Sequence, residues 1–186
     1  MISTADFKNG VNIFVDGEPY QIIWFQNHKP GKGGAVMRTK LRHLTKGSIV
    51  DKTFKYGEKF ENVDVERRKK QYLYPEGDTY VFMDLETYDQ IHVTKELLGD
   101  GYKYLTANLE VGATYMEGKL VGIELPISVV LTITETEPGS RGNTVTNVLK
   151  AAKVETGATV QVPLFVKEGE KVRVDTRTGE YVERAD

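Results

Sequence analysis

Short runs of β-branched and aromatic residues, alternating apolar with polar and broken by glycine turns, recur along this whole chain and confine it to an all-β fold. Residues Val11–Val15 end at Asp16-Gly17, a two-residue hairpin signal, and Tyr20–Gln26 returns from it. A glycine-rich stretch, Lys29–Ala35, separates that strand from Val36–Arg42, in which apolar and basic side chains alternate. Lys40–Leu44 then leads to a turn at Thr45–Ser48, and Ile49–Phe54 follows. Four or five strands in about sixty residues fit a small SH3-like barrel. Residues 57–63 lead out of it.

From Val65 the pattern restarts. Glu66–Tyr72 is a charged lead into a strand, Gln71–Tyr74 reaches a turn at Pro75–Asp78, Thr79–Asp84 returns, and Tyr88–Val93 follows. Thr94 is placed to cap a short helix over Lys95–Leu98, which Gly99 and Gly101 stop. Tyr102–Asn108 reads as a second helical turn. Val111–Tyr115, a Glu117-Gly118 turn and Leu120–Leu125 close this part before Pro126. The third part opens with the strand Val129–Glu135. Residues 136–150 read as a long polar loop, of a length that compact β domains keep for function or mobility. Thr159–Phe165, Lys171–Asp175 and Glu180–Arg184 are further strands, the last two joined through Arg177–Gly179. Three all-β domains are therefore expected, at 1–64, 65–127 and 128–186, each of a size at which SH3-like and OB barrels occur. Each is marginal alone, so packing between them is expected to contribute.

The glycine stretch is the point at which function begins to show. Pro30 fixes its own φ and pushes Lys29 towards an extended backbone. Gly31, Gly33 and Gly34 carry no Cβ to shield a neighbour, so Lys32 projects from a bare hairpin tip. Charge points the same way. The whole chain has a net charge of −2, yet residues 27–59 hold nine Lys/Arg against two Asp/Glu. A local basic field without overall basicity suits a polyanion meeting one end of the molecule. Alternation places Arg38, Lys40 and Arg42 on one strand face, a track for an RNA backbone.

Catalytic and metal-binding patterns are missing from the sequence. There is no cysteine, which excludes disulfides and thiolate sites. His28, His43 and His92 lack ligand spacing, and Gly31-Lys32 lacks the remainder of a P-loop. Two carboxylate pairs, Asp84/Glu86 and Glu135/Glu137, sit at strand spacing and are expected to be solvated strand edges. Trp24, the sole tryptophan, lies in an apolar strand and is expected in the core. No signal peptide or transmembrane span can be read, so a cytoplasmic binding protein without a cofactor or metal is expected.

Lys29–Ala35 between its two strands resembles the tip loop of the bacterial elongation factor P family. Leu41–Leu44, Lys52–Phe54, Tyr72–Tyr74, Gly77-Asp78 and Phe82–Asp84 extend the resemblance. Its densest part joins Lys150, Ala152, Gly157, Val160, Val162-Pro163, Val166 and Gly169, with Gly122–Pro126, Glu135–Gly139 and Gly179–Val182 beside it. The resemblance implies a KOW-type SH3-like domain followed by two OB-fold domains, in an L of tRNA-like size. It also implies a non-enzymatic, monomeric factor that binds the 70S ribosome between the P and E sites beside peptidyl-tRNA. There it would stimulate peptide-bond formation at consecutive prolines, with Lys32 stabilising the CCA end of the P-site tRNA. At this position the family carries β-lysyl or amino-alcohol modifications, so a Lys32-modifying enzyme is an expected partner.

Phosphate contacts are expected from Lys29, Arg38, Lys40 and Arg42. Arg141, Gly142, Asn143 and Thr144 match the family loop that approaches the E-site codon of messenger RNA, with Asn143 where an acidic residue is usual. Tyr181 and Arg184 match small-subunit contacts, with core edge and solvated tail as the alternatives. Three other readings stay open on the residues: a specialised paralogue of the family, a general RNA-binding OB/SH3 protein, and an enzyme using Lys32 as nucleophile. The last needs a burial that a glycine tip does not supply.

Overall fold

The computed structural model describes residues 1–138 and 148–186. The described chain is all-β apart from short helical turns. Its first strands are β1 (Ile2–Ser3), β2 (Asn12–Val15), β3 (Glu18–His28), β4 (Val36–His43), β5 (Ile49–Lys55) and β6 (Lys59–Phe60). Next come β7 (Val65–Glu76), β8 (Thr79–Asp84), β9 (Gln90–Thr94), the helix α1 (Lys95–Leu98), β10 (Glu110–Met116) and β11 (Lys119–Glu124). The last are β12 (Ser128–Thr136), β13 (Leu149–Val154), β14 (Thr159–Pro163), β15 (Lys171–Asp175) and β16 (Tyr181–Ala185). Sheet orders are β2-β3-β4-β5, β11-β10-β7-β8-β9 and β14-β13-β12-β15-β16, with a small β1-β6 pair. The chain divides into two compact units, Met1–Arg67 with Thr114–Gly122, and Arg68–Ala113 with Ile123–Asp186.

In the first unit, Asp16 (φ 52) and Gly17 (φ 80) both take positive φ, the geometry of a two-residue loop whose twist suits its flanking strands. β4 shows why the sheet has two faces. Met37, Thr39, Leu41 and His43 are buried, while Arg38, Lys40 and Arg42 between them are exposed. The inward set joins Phe7, Ile13, Val15, Ile22, Phe54 and Phe60 in one apolar cluster. Phe54 and Phe60 meet edge to face at 4.7 Å, and Phe7 packs against both. Polar groups on the inward side are satisfied. Thr39 Oγ1 donates to the Lys52 carbonyl at 2.7 Å. His43 Nδ1 accepts from the backbone N–H of Thr45 and Lys46, which leaves Nε2–H to donate to Glu18 Oε2 at 2.6 Å.

One residue departs from the alternation. The β3–β4 register shifts between Ile22 and Trp24, so two residues of β3 oppose one of β4. The inward set therefore ends at Ile22, which is fully buried, and Trp24 is 41% exposed. Trp24 is not a core residue; the bulge turns it outward.

In the second unit, β7 continues through Pro75 to Glu76, so the turn is Gly77-Asp78 alone. Pro75 lies just past a bulge between Tyr72 and Tyr74, where a ladder tolerates the loss of a donor. Thr94 caps α1 as expected, its Oγ1 accepting from the Leu97 N–H at 3.4 Å, and Gly99 takes φ 57. The next helical turn is a 3-10 segment over Gly99–Tyr104 rather than Tyr102–Asn108. The Asn108 N–H donates to the Tyr72 carbonyl and the Leu109 carbonyl accepts from the Tyr72 N–H, which commits both residues to β7. A second apolar cluster gathers Val129, Leu131 and Ile133 from β12 with Val160, Val162, Val172 and Val174. β13 occupies residues expected to be loop or left unassigned. Ala151 and Ala152 have little intrinsic strand preference, but Ala152 is paired with Thr136 of β12 and Val160 of β14, Ala151 with Gln161 of β14, and Ala152 and Val154 face the core.

Candidate nucleic-acid interface

β3 and β4 form a hairpin in which β3 leaves the core after Ile22, its Trp24, Phe25, Gln26 and Asn27 all exposed, while β4 keeps Thr39 and Met37 buried opposite Phe25 and Asn27. At its tip Gly33 takes φ +99, which a side chain rarely adopts, and a Cβ on Gly31, Gly33 or Gly34 would meet nothing within 4 Å. Lys29 and Lys32 are exposed and Pro30 is half-buried. Nothing at this tip buries the Lys32 ammonium, so it is presented as a free donor and a positive charge.

Behind the tip, register fixes which side chains share the outer face. Gln26 lies opposite Arg38, Trp24 opposite Lys40, and Gln21 opposite Arg42. On the other flank Thr53, Asp51 and Ile49 lie opposite Arg38, Lys40 and Arg42, and Lys55 opposite Val36. Directly opposed residues of an antiparallel pair point to the same side. The three cations expected from sequence thus form one row, about 7 Å between successive members, with Trp24 beside it. Tip and row belong to one hairpin. Sequence reasoning missed Trp24 here because a bulge leaves no mark in composition.

Tyr181 and Arg184 lie on β16 in the second unit. Tyr181 is half-buried and packs against the apolar cluster there, and burial pushes its hydroxyl pKa up. Arg184 reaches Glu170 Oε2 at 3.9 Å and sits 5.1 Å from the centroid of the exposed Phe165 ring. Arg141, Gly142, Asn143 and Thr144 lie outside the described residues.

The carboxylate pairs divide. Glu135 is solvated, 3.7 Å from Lys153. Asp84 is not a solvated edge: it is 1% exposed and accepts from Arg68 Nε at 2.6 Å and Lys70 Nζ at 2.9 Å. The backbone N–H groups of Glu86 and Thr87 complete its shell. Led by the Arg68 hydrogen bond, these donors hold its carboxyl far below the ordinary range. A carboxylate so firmly ionised and enclosed serves structure rather than proton transfer. Among the described residues no group of three His, Asp or Glu side chains could hold a metal, and no helix is long and apolar enough to cross a membrane.

Comparison with known proteins bears on the whole chain. Residues 3–60 match the elongation factor P KOW-like domain, 65–123 the elongation factor P OB domain, and 129–184 the elongation factor P C-terminal domain. Elongation factor P of Endomicrobium trichonymphae is 62% identical over 185 residues, covering 100% of both chains. The chain belongs to the elongation factor P family. Elongation factor P of Moorella thermoacetica is 51% identical, again over 100% of both chains. Among solved structures, eukaryotic translation initiation factor 5A from Methanococcus jannaschii is similar at 26% identity and a TM-score of 0.51. That likeness covers 66% of this chain and 92% of the other. The KOW-like domain of the elongation factor P family includes the β3–β4 hairpin and therefore carries Lys32.

Proposed function

We propose that this translation elongation factor of the elongation factor P family binds the 70S ribosome between the P and E sites beside peptidyl-tRNA. There it stimulates peptide-bond formation when consecutive prolines stall it. Three domains, 1–64, 65–127 and 128–186, would make up the factor that meets that site. The observation that carries the reading is the bare glycine tip, with exposed Lys32 ahead of a row of cations on the same hairpin.

The chemistry is one of placement. A proline ring fixes φ and constrains the approach of amine to ester. Orientation alone is worth several powers of ten in rate. A slim tip with no side chains beside its lysine can reach into an RNA-lined cavity. Lys32 then donates to sugar and phosphate oxygens of the CCA end and holds it for attack. Acid–base or nucleophilic work by Lys32 would require burial, and the tip supplies none. Lys29, Arg38, Lys40 and Arg42 contact phosphates, and Tyr181 and Arg184 meet the small subunit. Residues 141–144 approach the E-site codon. The factor works in the cytoplasm as a monomer, without metal or cofactor, and a partner enzyme extends Lys32 by a β-lysyl or amino-alcohol group.

The test is translation of a reporter with three consecutive prolines in a reconstituted system, beside a proline-free control. Native protein is expected to relieve the stall selectively and Lys32→Ala to lose that relief. No effect of the native protein on the proline reporter would overturn the reading and leave general RNA binding in its place. Peptide mass analysis of the protein from its own cells reads the modification directly.

A further inference from the structure

We propose that the outer face of the β3–β5 sheet is an RNA-docking surface on which the indole of Trp24 stacks against an exposed base, while Arg38, Lys40 and Arg42 neutralise the adjoining phosphates. The assignment rests on the ribosomal reading above and names a contact that reading does not contain.

Three observations carry it. First, Trp24 is the sole tryptophan and the bulge after Ile22 places it in solvent, 41% exposed. The exposed part of a large indole is apolar surface that a partner gains by burying. Second, no other ring of the unit's described residues packs on it. Among the described residues, the ring–ring pairs of this unit join Phe7, Phe54 and Phe60, or Tyr20 and His43, and leave Trp24 out. Third, its surroundings select the partner. Lys40 lies directly opposite, Arg38 and Arg42 stand at the next same-face positions, and Lys55 is further along β5. Asp51 is the one carboxylate on this part of the face. A protein partner would need an apolar patch around the indole, whereas the uncharged and acidic residues that register sets on its face are Gln21, Gln26, Thr53 and Asp51, with Ile49 apolar. Cations in a row beside one aromatic platform match a charged backbone carrying flat bases. The about 7 Å step between Arg38, Lys40 and Arg42 is of the order of the step between successive phosphates.

The stack needs a base with a free face, so an unpaired nucleotide or the open end of a duplex is the expected ligand. Because Trp24 is the sole tryptophan, its emission reports on the contact without a label. The full-length protein is titrated at low ionic strength with deacylated tRNA, with an unpaired RNA oligonucleotide, and with inorganic polyphosphate of matched charge. Binding is followed separately by anisotropy of end-labelled tRNA. Both RNAs are expected to quench Trp24 saturably, whereas polyphosphate competes for the cations and leaves the emission unchanged. Trp24→Leu should weaken tRNA binding roughly 5- to 150-fold, the range of one lost base stack, and Trp24→Phe should restore most of it. In the triproline assay Trp24→Leu should raise the factor concentration needed for half relief and keep the plateau. RNA binding with unchanged Trp24 emission, as a protein occupant of this face would give, overturns the stacking and spares the proposed function. So does a Trp24→Leu variant that binds like the native chain. A protein that binds no RNA and relieves no stall overturns both.

Discussion

Lys70 and Asp84 are directly opposed across β7 and β8, and Lys70 Nζ donates to Asp84 Oδ2 at 2.9 Å with both residues almost wholly buried. Arg68, two residues earlier on the same strand, adds a second charged donor at 2.6 Å. A buried carboxylate is tolerable only when its lone pairs are filled, and here four groups fill them.

This arrangement makes stability depend on acid in a defined direction. The folded carboxyl of Asp84 lies far below its unfolded value of about 3.9. Its contribution is therefore complete above about pH 4 and is lost progressively as pH falls below that value. Asp84→Asn should melt well below the native protein at pH 7, and the gap between the two should narrow as pH drops from 4 to 2. Thermal melts followed by circular dichroism across that range check it. Parallel curves would remove Asp84 as a source of acid sensitivity.

Gly179 is held in its conformation by two separate demands. Its φ is +76, and a Cβ added there would lie 2.9 Å from the Tyr104 hydroxyl oxygen. Tyr104 is 8% exposed and part of the apolar cluster, so its ring has little room to withdraw. Gly179→Ala should cost about 1–2 kcal/mol from backbone strain alone, and more from the crowded hydroxyl. In a Tyr104→Phe background the second part should disappear. Urea midpoints for the four proteins of that double-mutant cycle measure the coupling, and strict additivity would deny the contact.

Tip and core should respond oppositely to truncation. Leu41 is fully buried within the first unit's apolar cluster, so Leu41→Ala should cost about 2–5 kcal/mol through lost contacts and the cavity left behind. Lys32 is exposed, and Lys32→Ala should change stability by no more than about 0.5 kcal/mol. Chemical denaturation of both variants tests this. A large loss for Lys32→Ala would mean that the tip is part of the fold.

Much of this architecture is legible in the sequence because local chemistry decides it. Asp16-Gly17 turns where the dipeptide predicts, Thr94 caps α1, and alternation alone places Arg38, Lys40 and Arg42 on one face. The features that were not legible are decided by pairing between distant residues. Trp24 leaves the core through a bulge that only the β3–β4 register creates. Asp84 is enclosed because β7 brings Lys70 opposite to it and Arg68 alongside, and spacing within β8 says nothing of either. β13 forms on alanines because its neighbours supply the partners. In the site itself, charge and glycine spacing reveal the hairpin, and register supplies the indole.

The row on β4 should act as phosphate contacts that position without reading sequence. Each such contact releases condensed counterions, so the logarithm of affinity falls linearly with the logarithm of salt, and the slope counts the contacts. Replacing Arg38, Lys40 or Arg42 singly with Gln should weaken tRNA binding and flatten that slope by about one. Lys46, exposed on the turn beyond β4 and off this row, serves as the control. Lys46→Gln should leave the slope near the native value. Anisotropy titrations with labelled tRNA at several potassium concentrations supply the slopes of the native protein and the four variants. Equal slopes for the row and the control would mean that binding reads the net charge of this end of the molecule rather than the ordered row. A slope lowered only by the row variants ties the phosphates to the face that register builds.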